Sequence, residues 1–267
     1  MIPKIIHYCW FGPEKIGKKE KNCIASWKKY CPDYEFRLWT ESNYDVGKNK
    51  YMRAAYKEKK WSFVSDYARL DVIYRYGGIY LDTDVELLKG LDTLLDNTMF
   101  CGFENDDYVN FGIGFGAEKG QKIVKEIMDV YDKLNFYNPN GSLNLEPCPT
   151  YQSAVLKKHG VKMDNSPQVI DDIQILSSDY FCPISCETGV INITENTYGI
   201  HHYSFSWGNT SDKIWGKISR WTNRYMGKKW SMIICFPYRI RKKIRMIGFV
   251  QTFEFYVNKY LKKNHYD

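Results

Sequence analysis

Hydrophobic positions along the chain switch repeatedly between two periods. Lys4 to Trp10 encloses a near-continuous apolar run, the mark of a buried strand, and stops at Phe11-Gly12-Pro13. Residues 18–30 take helical spacing, with Ile24, Trp27 and Tyr30 three apart on one broad face. Tyr34 to Trp39 is a second short strand after the Cys31-Pro32-Asp33 turn. The clearest helix covers residues 62–76, where Phe63, Tyr67, Leu70, Ile73 and Tyr74 form one stripe and Gly77-Gly78 ends it. Ile79-Tyr80-Leu81 is then a short strand that runs directly into Asp82-Thr83-Asp84.

The alternation continues. Met99 to Phe103 and Asn110 to Phe115 read as strands, Lys119 to Leu134 as a helix, residues 135–149 as a loop and Tyr151 to His159 as a short helix. Val169 to Ile175 and Val190 to Ile193 are further strand candidates. No repeat or low-complexity tract interrupts the pattern. Strand and helix in alternation predict an α/β sheet fold, in which binding sites gather beyond the carboxyl ends of strands.

Charge divides the chain in two. Residues 213–267 carry 14 Lys/Arg against only Glu254 and Asp267, whereas the other 212 residues hold 24 bases and 29 acids. This predicts a body of residues 1–212 and a basic, helical extension of residues 213–267 with a partner of its own. In the extension, Ile240 and Ile244 share a helical face inside the Arg239–Arg245 basic run, and Phe249, Phe253 and Tyr256 continue an apolar stripe. A basic amphipathic helix of this kind suits an anionic membrane surface or packing on the body. The acidic body argues against nucleic acid as a ligand. Eight cysteines show no paired metal-knuckle spacing and are expected to be reduced thiols of a cytoplasmic protein. No charged region followed by a long apolar run opens the sequence, and no stretch reaches the about 20 apolar residues of a membrane span.

Candidate chemistry lies in three places. Asp82 and Asp84 flank Thr83 just past an apolar strand, and a bend there lets both carboxylates approach one hard cation, Mn²⁺ or Mg²⁺, that would neutralise a diphosphate. Asp66 and Arg69 are three apart on the helix that leads into this motif. Spacing alone makes them an intrahelical salt bridge; the order of elements also allows them to overhang the same pocket. His201 and His202 precede Ser206 and Trp207, and because neighbours on an extended chain point to opposite sides, one imidazole at most reaches a shared site. Asp82-Thr83-Asp84 also fits a haloacid-dehalogenase-like phosphatase with Asp82 as nucleophile and Asp171-Asp172 as a later acidic pair, although a whole α/β unit precedes it here.

Together these segments resemble glycosyltransferase family 32. Ile2 to Gly12 is similar to its opening; Ser65-Asp66-Tyr67-Ala68-Arg69 and Tyr76-Gly77-Gly78-Ile79-Tyr80-Leu81-Asp82-Thr83-Asp84 to its core signature; and His201 through Trp207 to its closing motif. Related patterns occur in the glucosylating domains of large clostridial toxins. The resemblance implies a GT-A, Rossmann-like α/β fold and transfer with retention of a hexose or N-acetylhexosamine from a nucleotide sugar, a UDP-sugar before GDP-mannose, to a glycan acceptor that hangs from a lipid carrier. It implies that Trp10 stacks on the base, that Asp66 and Arg69 hold the donor sugar, and that Tyr80 lies near the nucleotide. It further implies that Asp82 contacts sugar or ribose and the metal, that Asp84 ligates the metal directly, that His201 or His202 completes the site, and that Ser206 and Trp207 lie near the diphosphate. Asn110 falls where such enzymes present polar groups to donor or acceptor.

Overall fold

The computed structural model describes residues 1–185, 188–203 and 210–249, together with 252, 253 and 256. In chain order the elements are β1 (Ile5–Cys9), α1 (Lys18–Tyr30), β2 (Glu35–Trp39), α2 (Lys50–Lys57), α3 (Trp61–Tyr76), β3 (Gly78–Tyr80), β4 (Val85–Leu87), β5 (Met99–Phe103), β6 (Val109–Asn110), β7 (Phe115–Ala117), α4 (Lys122–Lys133), α5 (Cys148–Lys158), β8 (Gln168–Ile170), β9 (Ile173–Leu176), β10 (Gly199–His201), α6 (Thr210–Met226) and α7 (Lys228–Ile247). The fold is α/β around a mixed sheet of order β2-β1-β3-β7-β5-β9-β8, with β6 paired to β5. β1 is parallel to both β2 and β3, and β7 enters antiparallel between β3 and β5.

The order β2-β1-β3 has a functional consequence. The chain leaves β1 toward β2 on one side and, through α3, reaches β3 on the other, so the connections diverge at the β1/β3 boundary. Such a switch point leaves a crevice beyond the carboxyl ends of the two strands. The sheet is held by a core that includes Ile6, Ile79, Leu81, Phe100 and Leu176, against which α1 packs Ile24 and Trp27. Trp27 is fully buried and its indole N–H donates to Val85 O at 2.6 Å, which ties α1 to β4. Losing such a side chain costs about 3–5 kcal/mol.

Three expected strands take a different form. Asn110 to Phe115 is not one strand: β6 and β7 are separate, because the chain bends through Phe111–Gly114, where Gly114 has φ +148°. Val169 to Ile175 is a hairpin, with Asp171 and Asp172 at φ +47° and +62° forming the two-residue turn between β8 and β9; Asp tolerates this left-handed backbone better than most residues. Val190 to Ile193 contributes only an isolated bridge from Ile191 to Ile184. Two features had no clear periodic signal: α2, started by Asn49, whose side chain accepts from Tyr51 and Met52 N–H, and the antiparallel β4–β10 ribbon.

The chain divides into two compact units, one of Met1–Phe136, Leu145–Ser185 and Ile191–Trp207 and the other of Tyr137–Asn144, Cys186–Val190 and Gly208–Asp267. The sheet and α1–α5 lie in the first and α6 and α7 in the second. No helix among the described residues is long and apolar enough to cross a membrane. The seven described cysteines are buried and unbridged.

Candidate functional site

A cavity of about 490 Å³ opens at the switch point. Its walls include Cys9, Trp10 and Phe11 from the end of β1, Asp82, Thr83 and Asp84 from the end of β3, and Ser65, Asp66 and Arg69 from α3. Asn110 and His201 complete the set of expected residues on its surface.

Arg69 organises the floor. It sits four residues, about one helical turn, after Ser65, and is only 3% exposed. Its Nη1 lies 3.2 Å from Asp66 Oδ1 and 3.2 Å from Cys148 Sγ, while Nη2 donates to Asp82 Oδ1 at 3.1 Å and to Ser65 Oγ at 3.3 Å. The two readings of the Asp66/Arg69 spacing are therefore both realised, since one guanidinium makes the intrahelical pair and reaches the pocket acid. Tyr80 lies behind Asp82 and does not line the cavity; its hydroxyl donates to Asp82 Oδ1 at 3.0 Å. Gly112 completes the cradle: its carbonyl accepts Asp82 N–H at 2.8 Å, and a β-carbon there would overlap Asp82 Oδ2.

Burial sets the electrostatics. Desolvation lifts the Asp66 carboxyl to about 6 even though the neighbouring Arg69 pulls it down. Asp82 is also raised, by burial and by the nearby Asp84, against the pull of Arg69. His201 Nε2 stands 3.4 Å from Asp84 Oδ1. Burial opposes a charge on this imidazole, but the Asp84 carboxylate outweighs it and holds the pKa well above the ordinary histidine value.

The β4–β10 register separates the two histidines. His201 pairs opposite Val85 and reaches the cavity, whereas the His202 imidazole turns to Glu86 Oε2 at 2.8 Å and is absent from the cavity wall. His202 N–H still closes the corner by donating to Asp84 O at 3.1 Å. Trp10 also lines the cavity, with its indole N–H held by Glu14 O at 2.6 Å. Asn110 is fixed between Glu104 Oε2, which accepts from its Nδ2 at 2.9 Å, and Gly112 N–H, which donates to its Oδ1 at 2.7 Å. Ser206 and Trp207 lie outside the described residues. Asp171 and Asp172 sit exposed at the β8–β9 turn, off the cavity wall.

Among the described residues, six acidic ones, Glu14, Glu20, Asp66, Asp82, Asp84 and Glu104, line the cavity against a single Lys/Arg, Arg69. A site with that balance suits a cation more than a bare diphosphate. Asp82 and Asp84 supply the hard oxygen donors that Mn²⁺ or Mg²⁺ prefers. Among the described residues no group of three or more His, Cys, Asp or Glu is arranged to hold a metal by itself. The residues thus fit an ion that keeps several positions for water and a ligand's phosphate oxygens.

Sequence reasoning missed several cavity residues. Cys148 lies 79 residues from Arg69, in a segment read as loop, and no pattern connects them. Trp61 lines the cavity and packs over Gly12, where a β-carbon would meet its indole ring. Glu14 and Glu20 carried no signal beyond being acids near the first strand.

Residues 17–101 match the family described as glycosyltransferase sugar-binding region containing DXD motif. The chain is similar to inositol phosphoceramide mannosyltransferase 3 of Schizosaccharomyces pombe (strain 972 / ATCC 24843), 37% identical over 105 residues that cover 35% of this chain and 27% of that protein. Inositol phosphoceramide mannosyltransferase 1 of the same yeast is 30% identical over 123 residues, 39% of this chain and 37% of its own length. The matches therefore span well under two thirds of those relatives. Among solved structures, a protein described as PaToxG glycosyltransferase aligns over 59% of this chain and 68% of its own, with a TM-score of 0.46 and 18% identity. Asp82 and Asp84 lie inside the segment of this chain, residues 17–101, that is similar to the DXD-containing sugar-binding region of glycosyltransferases.

Proposed function

We propose that the chain transfers a hexose from a nucleotide diphosphate sugar to a hydroxyl of a glycan or a polar lipid head, with a divalent cation bound at Asp82 and Asp84. The observation that carries this reading is the convergence of Asp66, Arg69, Asp82, Asp84 and His201 with Trp10 on one cavity at the β1/β3 switch point. Mannose is the favoured hexose because two relatives are named mannosyltransferases, and their named acceptor supports a hydroxyl-rich lipid head; UDP-hexoses remain the alternative donors. The unbridged cysteines support a reducing, cytoplasmic location.

Each wall has a task in this reading. The Trp10 ring stacks on the base, and its N–H bond to Glu14 O keeps the ring in place. Asp66 accepts hydrogen bonds from donor-sugar hydroxyls. Arg69 holds Asp82 and Asp66 with its two terminal nitrogens and so fixes both carboxylates toward the donor. A bound cation would supply charge neutralisation for the leaving diphosphate. Transfer with retention then requires the bond from the anomeric carbon to the phosphate oxygen to break as the acceptor oxygen bonds on the same face, its proton passing to the departing phosphate. Positioning and charge stabilisation carry such a step without a protein nucleophile.

The test is a panel of GDP- and UDP-sugars incubated with the protein, with and without Mn²⁺, following release of nucleoside diphosphate. Metal-dependent hydrolysis of one donor supports the reading, and the anomeric configuration of the transferred sugar by NMR tests retention. Turnover of no donor at any metal concentration, or a phosphoenzyme trapped on Asp82, overturns it.

A further inference from the structure

Residues 213–253 contain eleven Lys/Arg and no Asp or Glu. They form most of α6 and all of α7, joined at Gly227, whose φ of +85° is a backbone that side chains with a β-carbon rarely adopt. The helices run antiparallel: Trp215 stacks on Tyr238 with centroids 5.1 Å apart, and Ser219 Oγ lies 3.2 Å from Ser231 Oγ. Thr222, Ser231 and Cys235 are buried in this seam. Small residues and one stacked pair therefore suffice to join the helices.

Several large apolar residues are left outside. On α6, Ile214, Trp221 and Tyr225 fall seven and four apart, on one helical face, and are 52%, 58% and 65% exposed. On α7, Ile233 and Phe236 share a face and are 62% and 48% exposed, with Trp230 beside them at 55%. Lys217 and Arg224 border the α6 stripe by spacing, Lys229 lies one turn before Ile233, and Arg241 flanks the far end of the α7 stripe. An ordinary solvated face is polar, and contiguous exposed apolar side chains mark a binding surface.

Charge decides what that surface binds. A second copy would bring one basic hairpin against another, with no carboxylate in residues 213–253 to neutralise either. An anionic bilayer supplies the opposite charge and an apolar layer below it. Neither helix is long and apolar enough to cross that layer, so the hairpin would lie along it. We propose that α6 and α7 form a peripheral membrane-docking hairpin. Trp221, Tyr225, Trp230, Ile233 and Phe236 sit at the headgroup–acyl boundary, and the surrounding Lys and Arg bind anionic headgroups.

The experiment uses the full chain with phosphatidylcholine vesicles containing increasing phosphatidylserine, read by co-sedimentation and tryptophan emission. Binding rises with phosphatidylserine and falls with NaCl, and the emission shifts to the blue. The variant Trp221→Ser, Tyr225→Ser, Ile233→Ser, Phe236→Ser stays in the supernatant. The variant Lys217→Gln, Arg224→Gln, Lys229→Gln, Arg241→Gln loses about a hundredfold or more in partition to anionic vesicles. All eight positions are solvent-facing or flanking, and circular dichroism confirms that both variants fold. Donor hydrolysis in lipid-free solution is retained by both, so failure of docking is distinct from failure of the glycosyl-transfer reading. Wild-type protein that ignores anionic vesicles at low salt overturns the proposal, as does vesicle binding by the apolar variant equal to wild type. A concentration-dependent dimer abolished by the apolar variant overturns it too, by assigning the face to a second copy.

Discussion

Arg69 Nη2 donates to Asp82 Oδ1 at 3.1 Å, so a helix residue and the first acid of the DXD motif, thirteen positions apart, form one unit. The same guanidinium meets Asp66 at 3.2 Å through Nη1. This dual attachment needs a planar fork with several donors, which lysine lacks. Arg69→Lys is expected to keep the charge and the fold but lower kcat/KM for donor hydrolysis by about 100-fold, the scale of losing an oriented charge-stabilising donor. Unchanged kinetics in a folded variant would remove Arg69 from the machinery.

Asp84 faces the cavity as the second carboxylate of the motif. Asp84→Asn is expected to abolish most activity and to weaken nucleoside diphosphate binding in Mn²⁺, with the fold retained. Calorimetric titration of UDP and GDP with and without Mn²⁺ checks this. Full activity in excess chelator, or in the variant, contradicts the metal role.

The two histidines predict opposite outcomes. His201 lies beside Asp84 on the cavity, and His202 pairs with Glu86. His201→Ala should weaken Mn²⁺ binding by about 10–100-fold, as loss of a metal-site neighbour does. His202→Ala should leave it within error and lower only thermal stability. Mn²⁺ titration by electron paramagnetic resonance separates them; equal losses would contradict the assignment.

Trp10 offers its ring to the cavity. Replacement by Ala should weaken nucleotide binding by about 1–3 kcal/mol, and replacement by Phe by much less, since stacking needs an aromatic face of any kind. If the residue only filled the core, melting temperature would fall while affinity per folded molecule stayed constant.

Asp66 links stability to pH with an inverted sign. Its folded pKa is raised to about 6 by burial, above the about 3.9 of an unfolded Asp, so the folded state binds the extra proton. Ionisation is therefore destabilising: the penalty is absent below the unfolded value, grows as pH rises from about 4 to 6, and is fully present above it. Its size is on the order of 3 kcal/mol. Asp66→Asn should melt higher than wild type at pH 7.5 while losing donor binding, and this advantage should shrink as pH falls to 5. A melting difference independent of pH would contradict the raised carboxyl.

How much of this was legible beforehand depended on the range of the interaction. The parallel β1–β3 half and the helices α1, α3 and α4 follow from local periodicity, because burying an apolar stripe needs only residues a few positions apart. The breaks in two expected strands did not follow. Apolar spacing continues through Phe111–Gly114 and across Asp171-Asp172, and only the backbone at those points turns the chain. Tyr80 was expected at the nucleotide but lies under Asp82, to whose carboxylate its buried hydroxyl donates.

The sequence by itself determined the α/β class, the Asp-Thr-Asp at a strand end, the likeness of residues 17–101 to a sugar-binding region and the charge asymmetry of the last 55 residues, all carried by composition, short-range order or a motif. Tertiary structure alone decided that His201 and not His202 reaches the cavity, that Arg69 bridges Asp66 to Asp82, and that Cys148 touches the same guanidinium. It also decided which face of the basic hairpin is spent on its seam. The physical reason is distance along the chain: strand register and side-chain burial couple residues up to 116 positions apart, and no local pattern encodes which of two neighbouring side chains the register turns inward.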